Sequence, residues 1–163
     1  MAVVQAGLSS LGVKVGYAIG TTTKPSAFTW LERCNAISGI ELTSETIDAS
    51  ALEDASERSV AGRLTNGGEW SLTFNLTQEV LGQLETFYSA YASKTSSQVM
   101  WVEVWIPNMT DACFVCVECP SQIPLSDIAQ NELLTIDVSL TIEEYKGWDT
   151  GIEPTASSSG SGG

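Results

Sequence analysis

The sequence predicts a mainly β, α+β fold with one flanking α-helix and one long irregular loop. Three observations carry this. Residues 69–76 and 134–143 each alternate apolar and polar side chains, the period of a half-buried strand. Only one stretch, 78–92, repeats its apolar residues at helical spacing. Between the strand-like stretches at 36–43 and 69–76 runs a segment, 44–68, with no clear period. Compact domains seldom carry loops beyond roughly 12–15 residues unless the loop has a function or is disordered.

A small-residue arm, 1–10, leads into a first strand at about 12–19. "TTTKPSA" reads as a loop, 28–34 as a short strand or turn, and 36–43 as a strand. The irregular segment ends at "TNGG", a strong turn signal. In the next strand Trp70, Leu72, Phe74 and Leu76 share one face, with Glu69, Ser71, Thr73 and Asn75 on the other. Thr77 is placed to cap the helix, with Gln78 and Glu79 in its first turn. Leu81, Leu84, Phe87, Tyr88 and Tyr91 form the stripe that should cover a sheet.

"QVMWVEVWIP" is apolar on both faces. Met100, Val102, Val104 and Ile106 point one way, and Val99, Trp101, Glu103 and Trp105 the other. Such a strand is covered on both sides, here by the helix or by another subunit. Trp101 and Trp105 are therefore core or interface aromatics. "ACFVCVE" follows the "PNMTD" turn and should pair with it as a hairpin. In the last strand Leu134, Ile136, Val138, Leu140 and Ile142 alternate with polar residues over about 30 Å. That exceeds the common strand length and suits a barrel or an extended sandwich. Residues 1–150 read as one domain, and 151–163 as a flexible Ser/Gly-rich tail.

Composition narrows the function. The chain has 163 residues, enough for one domain with a real core. It carries 20 acidic and 7 basic residues, a formal net charge of −13, which disfavours binding to nucleic acid or anionic membranes. It contains no histidine. That excludes Ser-His-Asp and Cys-His catalysis and His-ligated zinc. No stretch approaches the ~18 apolar residues of a membrane span, and the first residues do not read as a secretory signal. The sequons at Asn75 and Asn108 then carry no weight. Cys113, Cys116 and Cys119 have cluster-like spacing, but on a strand Cys116 faces away from the other two. They are expected to be buried thiols, with no metal and no cofactor. Glu143 and Glu144 are strand neighbours on opposite faces, so they make no acid–base dyad. No catalytic residues are assigned, and an enzyme is not expected.

Three stretches, "QAGLSSLGVKVGY", "ISGIELTSETIDASALED" and "IAQNELLTIDVSLTIEEYKGWDT", resemble the tail tube (major tail) proteins of long, flexible-tailed bacteriophages. The order of elements is similar over most of 5–150. The resemblance implies a β-sandwich or partly rolled barrel with one flanking helix. It implies rings, usually hexameric, stacked into a hollow tube in the virion tail, assembled in the host cytoplasm and passing the genome. Its partners would be further copies and other tail proteins such as tape measure, tail terminator and tail tip. Double-stranded DNA would be met only in transit, with no membrane involved. The arm and the long loop would reach neighbouring subunits.

Within that reading, Ile47, Asp48, Leu52, Glu53, Asp54, Glu57 and Arg58 are the candidate assembly residues of the loop. Glu69, Asp137 and Glu143 are the candidate acids of the lumen, since a negative wall repels a polyanion. Two alternatives stand beside it. One is the inner tube of a contractile injection or secretion device. The other is a small-ligand-binding β-barrel with Trp101 and Trp105 in its pocket.

Overall fold

The computed structural model describes residues 6–64 and 68–156. Expectations that fall on 1–5, on the first three residues of "TNGG" and on 157–163 lie outside the described residues.

Ten elements follow in order: β1 (Lys14–Gly20), β2 (Thr29–Leu31), β3 (Cys34–Ile37), β4 (Ser44–Asp48), β5 (Ser59–Leu64), β6 (Glu69–Asn75), α1 (Gln78–Ser93), β7 (Val99–Trp105), β8 (Asp111–Glu118) and β9 (Thr135–Thr150). Seven strands form one antiparallel sheet in the order β2-β1-β7-β8-β9-β6-β3, and β4-β5 form a separate pair.

The sheet is rolled, and the connectivity shows why. Its two edge strands, β2 and β3, are separated in sequence only by Glu32 and Arg33. Three Cα steps bridge at most about 11 Å, so a flat seven-stranded sheet is impossible. Arg33 turns the chain with φ 62°, and its carbonyl accepts from Asn75 N at 2.9 Å. The edges do not pair with each other. Helix α1 lies over this seam, where Gln83 Oε1 accepts from Glu32 N (2.9 Å) and Gln83 Nε2 donates to Glu32 Oε2 (2.7 Å). The expected partly rolled barrel with a flanking helix is what forms.

Thr77 caps α1 as its position predicts, accepting from Val80 N at 3.2 Å. Val80, Leu84, Phe87 and Tyr88 are the buried face, and Leu81 and Tyr91 sit at its margin. They close a core with Val15, Tyr17, Trp70, Leu72, Phe74, Met100, Val102, Val138 and Leu140, drawn from both ends of the sheet.

Strand β9 is longer than the alternation alone suggests, at 16 residues. Opposite β8, Lys146 and Glu143 are each an extra residue in the register. Gly147, next to the first, has φ 84°. These bulges bend the strand round the roll and break the apolar period beyond Ile142. The strand at 36–43 is shorter than expected, ending at Ile37.

Two expectations change. Within the segment 44–68, residues 44–64 form a β-hairpin and not an irregular loop: Ile47 pairs with Val60 and Asp48 with Ser59. The chain from 151 to 156, expected to be tail, packs on the domain. Thr155 bridges Thr29 in parallel, with Trp30 N donating to Thr155 O (2.8 Å) and Thr155 N to Phe28 O (3.1 Å).

Candidate functional site

Among the described residues, no three His, Cys, Asp or Glu side chains gather as metal ligands. Cys113 faces the main core and Cys116 the opposite face, as the strand reading requires. Burial raises both thiols, Cys116 to about 11, so they stay protonated at neutral pH. Three surfaces remain.

The first is the β4–β5 hairpin. Among its described side chains, none belongs to either apolar cluster of the domain. Ile47 and Val60, opposite each other on one face, are 54% and 53% exposed, and Leu52 at the tip is fully exposed. A lone two-stranded hairpin is marginal in water. This one is braced at its tip by polar contacts. Asp54 accepts from Ala51 N (2.8 Å) and pairs with Arg58 Nε (3.1 Å). Asp48 accepts from Ser50 N (2.9 Å), and Ser50 Oγ accepts from Arg58 N (2.7 Å). The backbone donor of Ser50 holds the Asp48 carboxyl below its ordinary range. Asp48, Asp54 and Arg58 therefore hold the tip in shape, a role the sequence does not predict for them. Ile47, Leu52, Glu53 and Glu57 are what the hairpin presents outward: Glu53 and Glu57 have no hydrogen bond or ion pair among the described residues.

The second surface is the outer face of β6 and β9. The register sets Glu69 opposite Thr141, Ser71 opposite Ser139, Thr73 opposite Asp137 and Asn75 opposite Thr135. Thr73 Oγ1 donates to Asp137 Oδ1 at 2.7 Å. Glu143 follows at the bulge and is exposed. The structure thus brings Glu69 and Asp137 onto one hydroxyl-rich face, with Glu143 at its end. Neither Glu69–Asn75 nor the adjoining stretch 135–143 contains a basic residue.

The third surface is the other half of that sheet side. Trp101 is 3% exposed and packs with Phe28, Ala112, Phe114 and Cys116, with Trp105 at the margin. Its Nε1 donates to Thr21 O at 2.9 Å. The helix covers the Met100 and Val102 face, but not this one. Here the cover is the chain's own loop between β1 and β2 and residues 151–156. Trp101 is thus buried by its own chain, by a cover other than the helix, and Trp105 is half-buried beside it. Three of the seven basic residues sit on these rings: Lys14 Nζ is 4.5 Å from the Trp30 centroid, Lys24 4.9 Å from Phe114 and Lys146 5.3 Å from Trp101. The sheet side is divided into an acidic open half and an apolar half roofed by lysines.

The interior of the roll is filled by the main core, and the Trp101 face lies outside it. A cavity of about 470 Å³ opens instead between α1 and β2, lined by Tyr17, Trp30, Glu79, Gln83 and Thr86 among others. Neither Trp101 nor Trp105 lines it.

Among solved structures, a chain of the 6-fold symmetrised cryo-EM structure of the anti-feeding prophage (AFP) baseplate is similar. It matches with TM-score 0.57 at 12% identity, over 90% of this chain and 96% of that one. A chain of the anti-feeding prophage cap, the AFP tube terminating cap, matches with TM-score 0.59 at 11% identity, over 93% and 96%. This chain shares their fold. No protein-family model and no curated protein matches the sequence. The two neighbours belong to a baseplate and a cap, so the likeness extends the fold expectation without singling out the flexible-tailed family.

Sequence reasoning misses one exposed apolar segment. Between β8 and β9, Leu125, Ile128, Leu133 and Leu134 are all exposed. Ser126 Oγ there accepts from Asp137 N at 2.8 Å, along the part of β9 that β8 does not reach. The run "PLSDIAQNELL" holds the signal, apolar residues in a stretch without period.

Proposed function

We propose that this chain is a structural, non-catalytic subunit of a phage-tail-like particle that self-associates into rings, with the rings stacked as a tube. The observation that carries the reading is the fold shared over nine-tenths of the chain with parts of a prophage baseplate and tube-terminating cap. The surfaces support it. None of the hairpin's described side chains joins the domain's apolar clusters, as expected of an element made for a neighbour. Ring closure needs two different patches on one chain, and the hairpin and the exposed segment before β9 are two such patches.

The acidic half-face of β6 and β9 is the surface this reading turns to the bore. Glu69, Asp137 and Glu143 would make its wall negative, repelling a polyanion in transit rather than binding it. Sixfold rings fit the symmetry of the baseplate neighbour. The prophage neighbours also favour a second version of the same role, the inner tube of a contractile injection device. In either version the protein is part of the particle, is assembled in the host cytoplasm, and meets tape measure, terminator and tip proteins as partners.

The test is sedimentation velocity and electron microscopy of the full chain over a concentration series. Rings or tubes should appear as concentration rises. A protein that stays monomeric at millimolar concentration sinks the proposal.

A further inference from the structure

Glu103 is wholly buried, on a strand whose other residues are apolar or aromatic. Across the sheet it faces Gly16 on β1 and Phe114 on β8. Its Oε2 accepts from Ile152 N at 2.7 Å, while Oε1 has no hydrogen-bond partner among the described residues. The partner N–H comes from the segment 151–156, which lies across this face as a strap. Gly151 N donates to Thr110 O (2.8 Å), Lys14 Nζ pairs with Glu153 (2.8 Å), and Thr155 occupies the outer edge of β2. Pro154 sits on Gly16 so closely that an added Cβ there would lie 2.8 Å from it.

We propose that Glu103 is the latch of this strap: protonated, it holds residues 151–156 closed over the Phe28–Trp101–Phe114 face, and its ionisation releases them. The geometry gives the direction. With the strap closed the carboxyl group is out of water, and one N–H with one unpartnered oxygen is poor compensation for a charge. With the strap lifted, water reaches the group and the charged form is stabilised. Burial accordingly raises its pKa from the ordinary 4.5 to about 7, against the lowering effects of the Ile152 N–H and the Lys24 charge. Closure is thus fully favoured below about pH 4.5, weakens as pH rises, and stops changing above about 7.

The other charged and titratable groups around the site are Lys14 on β1 with Glu153 of the strap, Lys24 with Asp149, Lys146 with Glu144 on β9, and Cys116 on β8. Asp149 is held below its ordinary range, first by its bond from Thr150 N and then by Lys24, and burial raises Cys116 to about 11. Both move away from the window in which Glu103 titrates. Release would bare the outer edge of β2, where Phe28 O and Trp30 N now bond Thr155, together with the aromatic patch.

Hydrogen exchange on the full-length chain, corrected for intrinsic rates, tests the latch without any reference to assembly. In the wild type the Ile152, Thr155 and Trp30 amides should lose protection by about 10-fold or more between pH 5 and 7.5. Amides of β6 and β9 should keep theirs. Glu103→Gln preserves the acceptor for Ile152 N but cannot ionise, so its strap amides should stay protected with no pH dependence. A flat wild-type profile, a Gln variant with the wild-type slope, or parallel loss in β6 and β9 would overturn the proposal. Should Glu103→Gln fail to fold, Gly16→Ala decides. Its added methyl displaces Pro154, so strap protection should be low already at pH 5, and strong protection there would refute the strap's seating.

Discussion

At the scale of single residues, the two informative glycines matter for different reasons. Gly147 has φ 84°, and an added Cβ would meet only Tyr145 Cε1 at 3.8 Å, an ordinary contact. Its cost on substitution is therefore backbone strain alone, about 1–2 kcal/mol for a left-handed non-glycine residue. Gly147→Ala should lower stability by that amount in urea unfolding, with an unchanged m-value. A loss below about 0.5 kcal/mol would mean that β9 has another way round its bulge. Gly16 has no such φ and needs its missing side chain for space. Neither requirement is visible in the sequence: the bulge beside Gly147 is set by the register with β8, and the space at Gly16 is taken by Pro154. Glu103 is different. One carboxylate inside "VMWVEVW" is a readable sign of a buried polar contact, but its partner, the Ile152 N–H, is a backbone group that no side-chain pattern marks.

At the scale of elements, legibility follows burial on one face. Strands β6 and the first half of β9 and helix α1 each have one face in the core and one in water, so their periods are clean in the sequence. The described side chains of β4 and β5 are exposed or at most half-buried on both faces, and with no burial to enforce a period their alternation disappears. That is why 44–68 reads as an irregular loop. The second half of β9 is hidden for another reason: each bulge shifts the apolar phase by one residue. The strap is hidden because many of its own groups that are held are backbone N–H and C=O, which no side-chain pattern marks. The hairpin's independence of the core leads to a prediction. Replacing residues 44–66 by a short Gly/Ser turn, while keeping Gly68 as acceptor for Ile142 N, should leave a folded monomer. Its Tm should fall by no more than about 4 °C, the shift for roughly 1 kcal/mol. Ring or tube formation should be abolished. Normal assembly of this variant would remove the hairpin from the interface, and an unfolded variant would make it part of the domain's own stability.

At the scale of the whole molecule, charge is sorted rather than spread. The lysines on the aromatic half-face are held over rings, while the β6–β9 half-face is acidic and open. In a ring that turns this half-face inward, the same three acids recur in every subunit and their potentials add in a narrow, poorly screened channel. Glu69→Lys, Asp137→Lys and Glu143→Lys together change the charge by 3 × 2 = +6, from −13 to −7 per chain, so the protein stays acidic as a whole. Any new affinity for DNA must then come from the bore and not from net charge. Assembled wild-type particles should hold no DNA. Particles of the triple variant should retain short duplexes at low salt, shield them from nuclease, and release them as salt rises. Shielding is the decisive readout. DNA that binds the variant but is fully digested would place these acids on the outside of the particle. If the lysine variant does not assemble, Glu69→Gln, Asp137→Asn and Glu143→Gln keep the size of each side chain, and the amide oxygen of the Asp137→Asn variant can still accept from Thr73. Neutral walls should then slow DNA passage less than positive ones and more than wild type, an order that an external location of the three residues would not produce.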